Sequence, residues 1–195
     1  MIGIIDLKIG TVKAVENFLR DLTLDYRLID TPDELSKSTN IILPGNGNFE
    51  TVMHRLDELK LLNSLTDYIL SGRGRYVGIC VGFQILFSES DEGNVPGLGI
   101  LDGKVASINN TKIVPHIQWE TVTDEANIER YRLFFSHSFH ANIKSVPRFK
   151  LYHYKTDRFD KPILAMIRNK NILGCQFHPE KSHTDGKRII QDFFQ

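Results

Sequence analysis

Short apolar runs, many bounded by a polar or turn residue, alternate with longer amphipathic stretches through the first half of the chain. The runs lie at 2–5, 26–29, 41–43 and 76–79. They are rich in β-branched residues, which fits strands buried on both faces. Between them, 11–20 places Val12, Val15, Phe18 and Leu19 at helical spacing. The stretch 56–70 does the same with Leu56, Leu59, Leu62, Leu65, Ile69 and Leu70. Strand, helix, strand, helix predicts a parallel sheet covered on both sides. Further runs at 105–108, 133–135, 150–154, 163–167 and 172–177 follow with short connections, and Asn169-Lys170-Asn171 reads as a tight hairpin turn. A stripe of Ile189, Ile190, Phe193 and Phe194 predicts a closing helix over 184–194. The expectation is an α/β chain with a central, mostly parallel sheet, flanking helices and an antiparallel extension in the C-terminal half. A single domain over 1–195 is expected, since no repeat or Gly/Ser linker interrupts the pattern.

Composition narrows the class. The chain has 195 residues, 41% hydrophobic and 25% charged, enough apolar material for a core and too much for a disordered chain. Lys and Arg total 24 against 24 Asp and Glu, so there is no general attraction to nucleic acid or anionic membrane. No run of about 18 apolar residues predicts a membrane-spanning helix. The apolar start carries an acid at Asp6 and no basic region, and reads as a core strand rather than a secretory signal. Cys80 and Cys175 make neither a disulfide framework nor a Cys-x-x-Cys site. The expectation is a reduced, cytoplasmic protein with neither nucleic acid nor membrane among its partners.

The stretch Gly78-Ile79-Cys80-Val81-Gly82-Phe83-Gln84 carries the first chemical signal. A strand at 76–79 runs into Cys80, and an apolar helical segment with Phe83, Ile85, Leu86 and Phe87 follows. Gly-x-nucleophile-x-Gly at a strand-to-helix junction is a nucleophile elbow, here centred on cysteine. It holds the sulfur at the C-terminal edge of the sheet, where open α/β sheets bind ligands. The first turn of the following helix favours a thiolate. Cys175, inside an apolar run, reads as core packing. A cysteine nucleophile needs a histidine to exchange its proton and a third group to orient that histidine. Of the seven histidines, His178 stands in Phe177-His178-Pro179-Glu180, directly after a predicted strand. In extended backbone residues i and i+2 share a side. Glu180 can therefore hold one ring nitrogen while the other faces the thiol. After the 41–43 strand, Pro44-Gly45-Asn46-Gly47-Asn48-Phe49 is a Gly-rich loop able to turn backbone N–H groups toward an anion. With the Val81 N–H it forms a candidate oxyanion hole.

Together these motifs resemble those of the class I glutamine amidotransferases, over the whole chain. Residues 2–6, Pro44-Gly45-x-Gly47-x-Phe49, Gly78-Ile79-Cys80-x-Gly82-x-Gln84 and Gln176-Phe177-His178-Pro179-Glu180 carry the likeness. His137-Ser138 adds to the likeness, and Pro115-His116-x-x-Trp119 and Lys181-Ser182 narrow it to the glutaminase subunits of histidine biosynthesis. The resemblance implies a flavodoxin-like fold. It implies that Cys80 attacks the side-chain amide of glutamine, that His178 acts as acid and base, that Glu180 orients it, and that water hydrolyses a glutamyl thioester. Gly45, Asn46, Gly47 and Val81 correspond to the oxyanion hole. Gln84, Glu92 and the backbone near His137 and Ser138 correspond to glutamine-binding positions, and Trp119 and Lys181 to a partner interface. The implied partner is a cyclase subunit with a (β/α)8 barrel, joined as a heterodimer and fed with ammonia; no cofactor and no metal is implied. Two alternatives stay open. One is a paralogous glutaminase whose ammonia serves another acceptor, such as a sugar in surface polysaccharide biosynthesis. The other is a non-catalytic subunit that only activates a partner.

Overall fold

The computed structural model describes residues 1–10, 12–45, 47–108, 114–144, 148–156, 159 and 161–195. Its first half alternates as the apolar pattern predicts: β1 (Ile2–Ile5), α1 (Lys13–Asp21), β2 (Tyr26–Ile29), α2 (Pro32–Ser36), β3 (Asn40–Leu43), α3 (Phe49–Glu58), α4 (Leu61–Ser71) and β4 (Arg75–Ile79). A one-turn helix, α5 (Val81–Gln84), leads into β5 (Phe87–Ser90), β6 (Leu101–Ser107), β7 (His116–Asp124) and β8 (Arg130–His137). Then come β9 (Phe139–Ile143), β10 (Lys150–Tyr154), β11 (Ile163–Arg168) and β12 (Ile172–Cys175). A 3-10 turn over Pro179–Lys181 and the helix α6 (His183–Phe194) follow.

The main sheet runs β2-β1-β3-β4-β12-β11-β10-β7-β8. Pairings from β2 through to β12 are parallel, and those from β12 to β8 are antiparallel. A small second sheet runs β5-β6-β9. This is the expected α/β architecture with its antiparallel extension. Side chains alternate across the parallel strands. Ile5, Ile41, Leu43 and Tyr76 pack with Phe49, Leu56, Leu61 and Leu65 of α3 and α4 on one face. Ile4, Ile42, Val77 and Ile79 pack with Phe18 and Leu19 of α1 and with Ile189 and Phe193 of α6 on the other.

Some elements depart from the sequence pattern. The single helix expected over 56–70 is two helices, broken where Lys60 takes φ 58°, a backbone that cannot continue a right-handed helix. The break turns Leu61 and Leu65 fully inward and leaves Leu70 66% exposed, although Leu70 fits the apolar stripe. The helical segment after Cys80 lasts one turn, so Phe87 begins a strand rather than extending a helix face. The Leu86 carbonyl accepts from the Ile100 and Leu101 N–H groups, drawing the chain into the second sheet. α2, the start of α3 before residue 56, β7 and β9 were not expected. The hairpin at 169–171 forms as expected, with Asn169 Oδ1 accepting from the Asn171 and Ile172 N–H groups at 2.8 and 2.7 Å. Among the described residues no helix is long and apolar enough to cross a membrane.

Candidate active site

β3, β4 and β12 are adjacent and parallel, so the segments leaving their C-terminal ends lie side by side. The Gly-rich loop leaves β3, Cys80 leaves β4 and the His178 segment leaves β12. This order closes the long sequence gap between Cys80 and His178. Cys175 pairs with Ile79, and its carbonyl accepts from the Cys80 N–H at 2.6 Å.

Cys80 sits at φ 49°, ψ −108°, a conformation an L residue holds only where its surroundings enforce it. The enforcing contacts are specific. The Cys80 carbonyl accepts from the Phe83 and Gln84 N–H groups at 3.0 and 3.1 Å. The buried Tyr76 hydroxyl donates to the Gly82 carbonyl at 2.6 Å. A Cβ on Gly78 would stand 2.4 Å from the Gly82 oxygen, and one on Gly82 would stand 2.4 Å from the Leu43 oxygen. Both elbow glycines are therefore demanded by close approach.

His178 is 8% exposed. Its Nδ1 lies 2.8 Å from Glu180 Oε1, and its ring is within hydrogen-bonding reach of the Cys80 thiol. Burial disfavours the charged ring, but the hydrogen bonds to Cys80 and Glu180 outweigh it and hold the His178 pKa up to about 9. The geometry thus sets an imidazolium between a sulfur and a carboxylate at neutral pH. The backbone carrying it is pinned as well. The His178 N–H donates to the Phe134 carbonyl at 3.0 Å. The Ser182 hydroxyl donates to the His178 carbonyl at 2.6 Å and accepts from the Phe134 N–H at 3.0 Å. Cys175, fully buried, has its thiol pushed well above the ordinary range by that burial.

The other expected site residues fall around this centre. Gly45 rests on the elbow, since a Cβ there would meet the Cys80 Cβ at 2.6 Å. Gly47 takes φ 84°. Asn46 lies outside the described residues. Val81 opens α5, at a position whose N–H has no acceptor within the helix. Asn48 caps α3 by accepting from the Thr51 N–H at 2.8 Å, a contact worth about 1 kcal/mol. Glu92 Oε2 accepts from the Phe49 N–H at 3.0 Å, tying the end of the loop; burial raises its pKa. The end of β8 lies over the thiol, with the Ser136 carbonyl 4.0 Å from Cys80 Sγ. Next to it His137 is buried and its pKa is driven down to about 3 by desolvation. The Ser138 carbonyl accepts from the Ile108 N–H at 3.0 Å. Gln84, 3% exposed, directs its Nε2 at the Phe139 carbonyl and at Gln176 Oε1, both at 3.0 Å. Trp119 stacks on His183 with centroids 5.2 Å apart and meets Phe134 edge-on. The Lys181 ammonium lies 5.9 Å from the same Phe134 ring, so the two expected interface residues share one aromatic neighbour.

Sequence reasoning gave no role to Tyr76, Gln176 or Ser182. Tyr76 and Ser182 hold backbone in place, which no local pattern announces. Gln176 was findable: it stands two residues before His178, and alternation in extended backbone puts both on one side.

A family model for glutamine amidotransferase class-I matches residues 4–195. The imidazole glycerol phosphate synthase subunit HisH of Leptospira interrogans is 36% identical, over 99% of this chain and 98% of its own. The subunit of the same name from Prochlorococcus marinus strain MIT 9312 is 38% identical, over 97% and 95%. A crystal structure of a glutamine amidotransferase matches with a TM-score of 0.78 at 18% identity, covering 98% of this chain and 96% of that one. A chain in the structure of PurLQS from Thermotoga maritima matches at 0.75 and 20%, with coverage of 98% and 96%. At such identities the structural likeness speaks for the fold, while the family match and the close relatives reach the sequence itself across nearly its full length: the chain belongs to the class I glutamine amidotransferases.

Proposed function

We propose that this chain is the glutaminase subunit of an imidazole glycerol phosphate synthase. It hydrolyses glutamine to glutamate and ammonia and passes the ammonia to a cyclase subunit in histidine biosynthesis. The observation that carries the reading is the grouping of Cys80, His178 and Glu180 at the C-terminal ends of β4 and β12, with His178 Nδ1 2.8 Å from Glu180 Oε1 and its ring interacting with the Cys80 thiol. Relatives of that name at 36% and 38% identity favour this acceptor over a sugar. The complete set of three side chains weighs against a non-catalytic subunit.

In this reading the Cys80 thiolate, paired with the His178 imidazolium, attacks the side-chain carbonyl of glutamine. Backbone N–H groups of residues 45–47 and of Val81 meet the developing oxyanion. His178 gives its proton to the departing nitrogen, ammonia leaves, and a glutamyl thioester remains. Water then attacks with His178 as base, which releases glutamate and restores the charged pair. Glu180 holds Nδ1–H throughout, keeping Nε2 toward the sulfur. Glu92, Gln84 and the backbone at His137 and Ser138 hold the substrate's amino and carboxylate groups. A (β/α)8-barrel cyclase docks over Trp119 and Lys181. A closed path suits the chemistry, because ammonia released to solvent is protonated and lost as a nucleophile.

His178 sets the pH dependence. Its folded value of about 9 lies above that of free imidazole. The contacts to the charged ring therefore stabilise the fold fully below about pH 6.5, and that contribution shrinks as pH rises and is gone above about 9. Thermal stability is expected to fall across this window. The hydrolysis rate, which needs the charged ring in the folded enzyme, holds until pH nears 9 and then drops. A rate still climbing well past that point would place the titrating group elsewhere.

The reading is tested by glutamate release from the chain alone, with its cyclase, and with cyclase plus acceptor ligand. The isolated chain is expected to be slow and the full complex about a hundredfold faster, a bias of about 2.7 kcal/mol. The loop over residues 45–47 provides the physical basis. Its positive-φ glycine permits a peptide to turn over at little steric cost, so the N–H groups face the oxyanion only when partner contacts favour that state. Equal turnover in all three states would remove the gate. No glutamate release in any of them would remove the function.

A further inference from the structure

Beside the nucleophile lie two buried amides, Gln84 and Gln176, and a backbone carbonyl fixes the polarity of both. The Phe139 carbonyl can only accept. Gln84 Nε2 lies 3.0 Å from it, so that end of the Gln84 amide must carry the N–H groups. The same nitrogen lies 3.0 Å from one end of the Gln176 amide, which must then be its oxygen. The other end of Gln176, 3.7 Å from Cys80 Sγ, is therefore the nitrogen. The Phe139 carbonyl is itself held by His137 Nδ1 at 2.8 Å. This contact places the His137 proton on Nδ1 and leaves Nε2 to accept from the Tyr154 hydroxyl at 3.3 Å. Gln84, Gln176, His137 and Tyr154 are all buried, so bulk water does not compete along this chain.

An N–H aimed at sulfur favours the thiolate and does little for the neutral thiol. The neutral thiol's own proton has the Ser136 carbonyl to point at instead. We propose that Gln176 is a further catalytic side chain, its amide N–H stabilising the Cys80 thiolate, and that Gln84 is the positioning residue that fixes its orientation. The assignment rests on Cys80 being the nucleophile. The titratable groups around the sulfur are His178 with Glu180 behind it, after β12, and on the β8 side His137, with His116 and His140 beyond. His137 is neutral at physiological pH, so Gln176 adds a donor whose strength does not change with pH.

The test is the pH profile of Cys80 alkylation by iodoacetamide in the folded chain without glutamine, with Cys175 shielded by burial. Gln176→Leu is expected to raise the midpoint by about one pH unit, a tenfold loss of thiolate at a given lower pH. Gln176→Glu is expected to raise it further, because a carboxylate repels the thiolate. Gln84→Leu, which lets the Gln176 amide turn over, gives a smaller rise. In the unmodified protein the Gln176 side-chain ¹⁵N resonance is expected to move with the same midpoint and to stop moving in Cys80→Ala. An unchanged midpoint in folded Gln176→Leu, or a resonance indifferent to Cys80 ionisation, overturns the proposal. Should the variants fail to fold, the resonance alone decides. Failure of the glutaminase reading would look different: a normal alkylation profile with no glutamate released by the complex.

Discussion

Replacing Cys80 with alanine is expected to abolish glutamine hydrolysis, by about 10⁴-fold or more, and to leave the fold and partner binding unchanged. The elbow explains why both halves of this result hold. Its backbone is fixed by Tyr76, by the Cys80 carbonyl and by contacts that only glycine at 78 and 82 allows. None of these uses the sulfur. Alanine occupies less space and keeps the same backbone strain, so the melting temperature should stay within a few degrees of the parent's. Serine, nearly isosteric, should be as inactive, since a hydroxyl is far harder to ionise beside an imidazolium than a thiol. An electrophilic glutamine analogue should label Cys80 and spare Cys175, which is fully buried with its thiol pushed far toward the neutral form. Labelling at Cys175, or full activity in Cys80→Ala, would refute the assignment of the nucleophile.

His178→Asn is expected to lower the glutaminase rate by about 10²–10⁴-fold, and Glu180→Gln by about ten- to a hundredfold. Asparagine can neither hold the thiolate's counter-charge nor carry a proton to the leaving nitrogen. Glutamine at 180 is milder, because its amide oxygen can still accept from Nδ1–H at the 2.8 Å position and keep the ring oriented. What it removes is the negative charge that helps hold the His178 pKa up to about 9. The upper edge of the pH–rate profile should therefore move down in Glu180→Gln, a signature that mere loosening of the turn would not produce. Synthesis driven by added ammonia should survive both changes, because in the proposed function that chemistry takes place on the cyclase subunit. Comparable glutaminase rates in His178→Asn and the parent would end its role as the proton carrier.

The site was legible where its chemistry is local. The elbow needs glycine on both sides of the nucleophile within five residues, and His178 reaches Glu180 by simple alternation. The supporting shell was not legible, because its partners meet only through the sheet order. Gln176 reaches Cys80 because β12 lies against β4, and Ser182 reaches Phe134 because β8 runs beside the turn that carries His178. In the fold, the strand-helix alternation came through because buried parallel strands are short continuous apolar runs. β7 was missed for the opposite reason: most of its positions are half-buried, so neither alternation nor an apolar run marks it. Phe83, Leu86 and Phe87 suited a helix face as well as a turn followed by a strand, and over so few residues periodicity does not separate the two.

β12 has a consequence for the order in which the molecule is completed. It lies between two half-sheets, β2-β1-β3-β4 and β11-β10-β7-β8. Until it inserts, β4 and β11 present bare apolar edges of the kind that pair with other chains. Closing that seam joins residues as distant as Ile79 and Cys175, a slow step on loop-closure grounds. The same strand brings Gln176, His178 and Glu180 to the thiol. During synthesis Cys80 emerges long before them, at the end of a strand still bare on its β12 edge and with no base beside it. Competence to cleave glutamine and closure of the sheet are thus one event, and a half-made chain has neither.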